Sequence, residues 1–95
     1  MRHVDDAFLN VAPQKLMHPI KRSVTIDGHR TSISLEQPFW DALSEIADER
    51  KIPLARLLSE IDKKRAENGL TSGLSTAVRI AILGHYRAQK KFSQD

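Results

Sequence analysis

Two runs of alternating residues on either side of Asp27-Gly28 constrain the fold of this chain more than any other feature. β-forming residues recur at every second position in residues 21–26 and again in residues 29–35. Asp-Gly is a strong signal for a two-residue type I′ turn, because both turn positions need a positive φ. The sequence therefore predicts a β-hairpin with Ile26 opposite His29, Val24 opposite Thr31, and Arg22 opposite Ile33.

In this register the two faces of the hairpin differ in chemistry. One face collects the aliphatic side chains of Val24, Ile26, Ile33 and Leu35. The opposite face carries bases and hydroxyls without a carboxylate, from Lys21, Ser23, Thr25, Arg30, Ser32 and Ser34. We therefore expect a ribbon with one dry face and one basic, hydroxyl-rich face.

From Glu36 the hydrophobic period changes from that of a strand to that of a helix. The first helical face consists of Phe39, Trp40, Leu43, Ile46 and Ala47. Pro38 suits the first turn of this helix. Residues 36–49 hold five acids and no base, so we expect the outer side of this helix to face away from any polyanion.

Two further helices follow. Pro53 suits the first turn of the second helix. The apolar stripe of this helix is Leu54, Leu57, Leu58 and Ile61. Asn68-Gly69, at its end, is typical of a left-handed C-cap.

Candidate N-caps for the third helix are Thr71, Ser72 and Ser75. Its broad apolar face comprises Leu74, Ala77, Val78, Ala81, Ile82 and Tyr86, widened by Ile80 and Leu83. A face this wide predicts burial on two sides, with another chain as a candidate for one of them.

The organisation predicted from these patterns has four parts. Residues 1–20 form a loosely ordered N-terminal arm, residues 21–67 the core, residues 68–91 a C-terminal helix, and residues 92–95 a tail. Residues 21–26 are a candidate extra hairpin strand, and whether they add a strand to the ribbon stays open at this point. At 95 residues a single core is marginal, so a partner subunit is expected. The apolar residues Phe8, Leu9, Leu16 and Met17 of the arm are candidates for docking on a partner.

Composition excludes several function classes. The chain has no cysteine, which rules out disulfides and thiol chemistry and favours a cytoplasmic setting. Its four histidines lack ligand spacing, and no converging acid, base and pocket can be named. We therefore expect no metal, no cofactor, no membrane span and no enzymatic activity. The net charge of +3 is by itself weak evidence for nucleic-acid binding.

The run RTSISLEQPFWDALSEIADERKIPLARLLSEID resembles a ribbon-helix-helix DNA-binding domain, and residues 21–87 resemble the small stand-alone bacterial proteins of that family. The resemblance implies a mainly α fold with a short β ribbon, similar to the Arc and methionine repressors, plus a third C-terminal helix. It also implies an intertwined homodimer whose β ribbon enters the major groove of double-stranded DNA.

The resemblance also implies roles for individual residues. Base contacts map to Arg30, Ser32 and Ser34. The dimer core maps to Ile33, Leu35, Trp40, Leu43, Leu57, Leu58 and Ile61. Phosphate contacts map to the start of the second helix at Leu54, Ala55 and Arg56. From their charge and position, we expect Lys51 and the strand residues Lys21 and Arg22 to add phosphate contacts if the strand binds DNA. Many relatives have Gly-x-Ser where this chain has Lys51-Ile52-Pro53, and Pro53 offers neither an N–H nor a hydroxyl there.

The sequence thus predicts a DNA-binding transcriptional regulator, most simply a repressor. Two alternatives stay open. One is a dimeric, antitoxin-like protein-interaction module whose partner binds the N-terminal arm or the third helix. The other is an architectural protein that binds DNA without sequence preference.

Overall fold

A computed structural model describes residues 17–69 and 73–93 of the chain. They form a two-stranded antiparallel ribbon followed by three helices, which confirms the predicted fold class. The elements are β1 (Pro19–Ile26), β2 (His29–Glu36), α1 (Gln37–Arg50), α2 (Leu54–Glu67) and α3 (Leu74–Ser93). Most of the arm, the last two residues, and the candidate caps Thr71 and Ser72 lie outside the described residues.

The hairpin has the predicted turn and the predicted register. Asp27 and Gly28 adopt φ values of 52° and 83°, as a type I′ turn requires. Ile26 pairs with His29, Val24 with Thr31, and Arg22 with Ile33. Residues 21–26 therefore form a second strand beside β2, and this strand begins two residues earlier, at Pro19.

The core lies between the inner face of the hairpin and the three helices. Of the side chains predicted for a dimer core, six are buried within the single chain: Ile33, Leu35, Trp40, Leu43, Leu57 and Leu58. Ile61 is half-buried and packs against them. From α3, Val78 and Ile82 belong to the same cluster. One chain thus encloses a hydrophobic core, and the third helix is part of it.

Each helix boundary has a local cause. Pro38 lies in the first turn of α1, as predicted, and α1 ends where Lys51 adopts a left-handed conformation with φ of 58°. The Lys51 N–H donates to the Asp48 carbonyl at 3.1 Å. Pro53 is the N-cap of α2, one residue before the helix instead of inside its first turn. Gly69, with φ of 67°, ends α2 as predicted.

Helix α3 is held against α1 by hydrogen bonds to the acidic side of α1. Tyr86 donates to Glu45 at 3.4 Å, while His85 and Gln89 lie 3.2 and 3.1 Å from the same Glu49 carboxylate oxygen. Partial burial, together with the neighbouring Glu45, raises the pKa of Tyr86. Part of the acidic surface predicted for α1 is therefore used inside the fold.

The prediction that Ser75 caps α3 is wrong. The helix begins at Leu74, so Ser75 lies inside the first turn, and its hydroxyl accepts a hydrogen bond from the backbone N–H of Ser34 at 3.3 Å. None of the helices in residues 17–69 and 73–93 is long and apolar enough to cross a membrane.

Candidate nucleic-acid interface

The solvent-facing side of the hairpin carries the basic and hydroxyl side chains in three cross-strand pairs. Lys21 pairs with Ser34, Ser23 with Ser32, and Thr25 with Arg30. Ser34 is half-buried and the other five are exposed. We call these six residues the outer face. They share one side because successive side chains of a strand alternate between its two faces.

The two carboxylates at the ends of the outer face, Glu36 and Asp27, are bonded within the chain. Glu36, at the end of β2, accepts hydrogen bonds from Arg79 at 2.8 and 3.1 Å. A backbone hydrogen bond at Glu36 and the bond from Arg79 lower the pKa of this carboxyl. Asp27, in the turn, accepts a 2.8 Å hydrogen bond from the Ser59 hydroxyl. The outer face therefore presents two cations and four hydroxyls, and the acids at its two ends are engaged in bonds to α2 and α3.

The three residues predicted to read bases lie together on β2. Arg30, Ser32 and Ser34 also direct their backbone N–H and C=O groups away from β1, because backbone groups alternate between the two edges of a strand. We call that side the free edge of β2. At Ser34 the edge is closed by α3: Ser75 accepts from the Ser34 N–H at 3.3 Å, and Arg79 approaches the Ser34 carbonyl at 3.5 Å.

The start of α2 lies beside the turn end of the hairpin. A polar groove between them is lined by Thr25, Asp27, Ala55, Arg56, Ser59, Glu60 and Lys63. Leu54 and Ala55 begin the helix, where backbone N–H groups have no acceptor within the helix. The Arg56 guanidinium lies 3.4 Å from Glu60, and both side chains are largely exposed. The predicted phosphate residues Ala55 and Arg56 thus adjoin Thr25 of β1.

The remaining predicted phosphate residues lie apart from this groove. Lys21 lies four positions before Thr25, about 13 Å along the strand. Lys51 is exposed on the turn between α1 and α2. Arg22 pairs with Ile33 of the inner face, and its guanidinium lies 5.0 Å from the centre of the Trp40 ring. The structure therefore unites the three residues predicted to read bases but distributes the residues predicted to contact phosphate over separate parts of the surface.

Sequence reasoning missed the contacts that hold this surface in place, which are made by Ser59, Ser75 and Arg79. Arg79 carried a detectable signal, because it is the only charged residue among the ten from Leu74 to Leu83. Its guanidinium bonds Glu36 and lies 5.6 Å from the centre of the Phe39 ring. A single cation in an otherwise apolar stretch of helix predicts that its charge is paired with a partly buried group of the same chain, as Arg79 is with Glu36.

Comparisons with known proteins agree with this architecture. A family model described as a ribbon-helix-helix domain matches residues 19–86. The solved structure of an uncharacterized protein from Bordetella pertussis Tohama I is similar, with a TM-score of 0.73 and 25% identity, over 94% of this chain and 73% of that chain. A comparison with curated proteins found no match. The chain belongs to the ribbon-helix-helix domain family, which in general consists of dimeric DNA-binding regulators.

Proposed function

We propose that this protein is a cytoplasmic, non-enzymatic, sequence-specific transcriptional regulator that binds double-stranded DNA as a homodimer, most simply as a repressor. The observation that carries the proposal is the outer face, on which Lys21 and Arg30 project among four hydroxyls while the adjacent acids Glu36 and Asp27 are bonded elsewhere. Such a face suits a polyanion that also presents hydrogen-bonding groups.

The base contacts in this proposal come from β2. Arg30 reads guanine by donating to O6 and N7 together, and the hydroxyls of Ser32 and Ser34 donate or accept according to the base. These side chains project from a strand whose inner face is anchored by the buried Ile33 and Leu35. A fixed backbone limits the entropy lost when the side chains bind.

The extra strand β1 limits how the sheet enters the groove. If two chains pair through the free edges of β2, the strand order is β1-β2-β2-β1. With neighbouring strands about 4.8 Å apart, the outermost strands are about 14 Å apart, which exceeds the roughly 12 Å width of the major groove. The central β2 strands then enter the groove while the β1 strands lie over its rims, where Lys21 meets phosphate.

Further phosphate contacts come from outside the outer face. The N–H groups of Leu54 and Ala55 and the positive end of the α2 dipole suit a phosphate beside Arg56. Lys51 and Arg22 add cations on the flanks, both being exposed. These contacts fix the position of the protein on DNA, while β2 supplies sequence preference.

A protein-interaction module is the second candidate function, because α3 exposes large apolar side chains. Ile80 is 62% exposed and Leu83 is 56% exposed. Isolated exposed hydrophobic residues are common, whereas two on one side of a helix suit a protein partner.

Selection of bound sequences from a random double-stranded DNA library, at several salt concentrations, tests the proposal. A defined, two-fold symmetric or tandem motif is the expected result. A steep salt dependence without a motif overturns sequence specificity and supports architectural binding. Retention of no DNA at low salt overturns the proposed function and favours the protein-interaction module.

A further inference from the structure

The free edge of β2 is closed at one end and open at the other. At Ser34 both backbone groups face α3, where Ser75 and Arg79 lie 3.3 and 3.5 Å away. At Arg30 and Ser32, among the residues that the structure describes, nothing bonds to the backbone groups on this edge. The open part of the edge is therefore limited to these two residues and the turn beyond them.

We infer that α3 sets the register in which two copies of the chain pair, placing Thr31 on the two-fold axis of the ribbon. The inference rests on the homodimer proposed above and specifies its geometry. With Thr31 on the axis, Arg30 of one copy pairs with Ser32 of the other, and Ser32 of the first copy pairs with Arg30 of the second. Only the open backbone groups are then used, and Ser34 keeps its bonds to α3.

The two neighbouring registers each meet an obstacle. Centring the ribbon on Ser32 pairs Ser34 with Arg30 and adds one hydrogen-bonded pair, but the Ser34 groups are already held by Ser75 and Arg79. Centring it on Arg30 places two arginines directly opposite each other, which is unfavourable. That register also requires pairing at Gly28, inside the turn.

The Thr31 register has a favourable inner face. Thr31 is half-buried on the same face as Ile33 and Leu35, and on the axis it faces its own copy in a pair without direct backbone hydrogen bonds. Cα atoms in such pairs are about 4.5 Å apart, and threonine pairs across strands are stabilising. On the outer face each Arg30 stands beside a serine, so adjacent base-reading positions alternate between arginine and serine.

Cysteine cross-linking tests the register directly, because the chain has no cysteine. Thr31→Cys and Ser32→Cys are compared under oxidised glutathione, with covalent dimers measured on non-reducing gels. In the Thr31 register the two copies of residue 31 are within the reach of a disulfide, whereas the two copies of residue 32 lie on a diagonal of about 7–8 Å, beyond that reach.

We expect Thr31→Cys to cross-link faster than Ser32→Cys by about tenfold or more, although residue 32 is the more exposed. Faster cross-linking at residue 32, or none at either position in a protein that sediments as a dimer, overturns the register. Sedimentation as a monomer overturns the homodimer itself. The DNA selection described above is a separate measurement, so failure of the register and failure of DNA binding are distinguishable.

The role of α3 is tested in the same two cysteine variants. Ser75→Ala with Arg79→Gln frees the Ser34 backbone, and we expect the preferred cross-link to move from residue 31 to residue 32. If the double variant does not fold, Ser75→Ala alone serves as the test, because it keeps the Arg79–Glu36 ion pair. It is expected to shift the cross-linking preference in the same direction. Thr76→Ala with Arg87→Gln, on the exposed side of α3, is the matched control. An unchanged preference for residue 31 after both changes overturns the role of α3.

Discussion

The Ser59 hydroxyl donates a 2.8 Å hydrogen bond to the carboxylate of Asp27, which joins α2 to the turn of the hairpin. Asp27 also adopts a left-handed backbone with φ of 52°. Asparagine tolerates this conformation and keeps a side-chain oxygen, whereas alanine does neither.

We therefore predict that Asp27→Ala lowers the free energy of unfolding by about 1–3 kcal/mol, while Asp27→Asn changes it by less than about 0.5 kcal/mol. Urea denaturation followed by the fluorescence of the single, buried Trp40 measures both. Ser59→Ala removes only the hydrogen bond and should cost less than Asp27→Ala. Equal losses for the alanine and asparagine variants of Asp27 would show that neither the bond nor the turn conformation matters.

Lys51 ends α1 in a left-handed conformation that strains a residue with a Cβ atom. Glycine adopts this conformation without strain, so we predict that Lys51→Gly raises the free energy of unfolding by about 0.5–1 kcal/mol. Chemical denaturation measures the change. Arg50→Gly, one residue earlier inside the helix, is the control and should destabilise the protein. A destabilising effect of Lys51→Gly would mean that the lysine side chain contributes more than its backbone strain costs.

The hairpin and its register could be predicted because their signals are local, namely the Asp27-Gly28 turn and the alternation on each side. The contacts of α3 with β2 could not, because Ser75 and Arg79 are more than 40 positions from Ser34 and meet it only through the packing of a whole helix. The same limit explains the wrong assignment of Ser75, since serine is common at N-caps and the start of a helix is uncertain by a residue or two.

The Glu36 carboxylate, held by a backbone hydrogen bond and by the Arg79 guanidinium, makes stability dependent on pH. Because the pKa of Glu36 is lowered in the folded chain, its contribution is present above the ordinary glutamate pKa of about 4.3 and is lost as the pH falls through the folded value. We predict that Glu36→Gln lowers the free energy of unfolding at pH 7 by up to about 1 kcal/mol and that the difference from wild type shrinks towards pH 3.

Denaturation curves recorded between pH 3 and pH 7 measure this difference. Glu67→Gln, which removes an exposed carboxylate at the end of α2, controls for the loss of one negative charge. A difference between wild type and Glu36→Gln that is constant over this range would contradict the assignment of the pH dependence to Glu36.

Arg30 and Lys21 lie on the same face of the hairpin, on different strands, and their substitutions should affect DNA binding differently. We predict that Arg30→Ala weakens binding to a selected site by about 1–3 kcal/mol and relaxes selection at one base position, because a bidentate contact to guanine is lost. Lys21→Ala should leave the selected motif unchanged and reduce the slope of log K against log salt by about 1, because one phosphate contact is lost. Each variant is thus the matched control of the other, since both remove one exposed cation from the same sheet. Binding titrations at several salt concentrations and library selection measure the two effects. If Lys21→Ala alters the selected motif, β1 lies in the groove. If Arg30→Ala leaves the selected motif unaltered, Arg30 does not read a base.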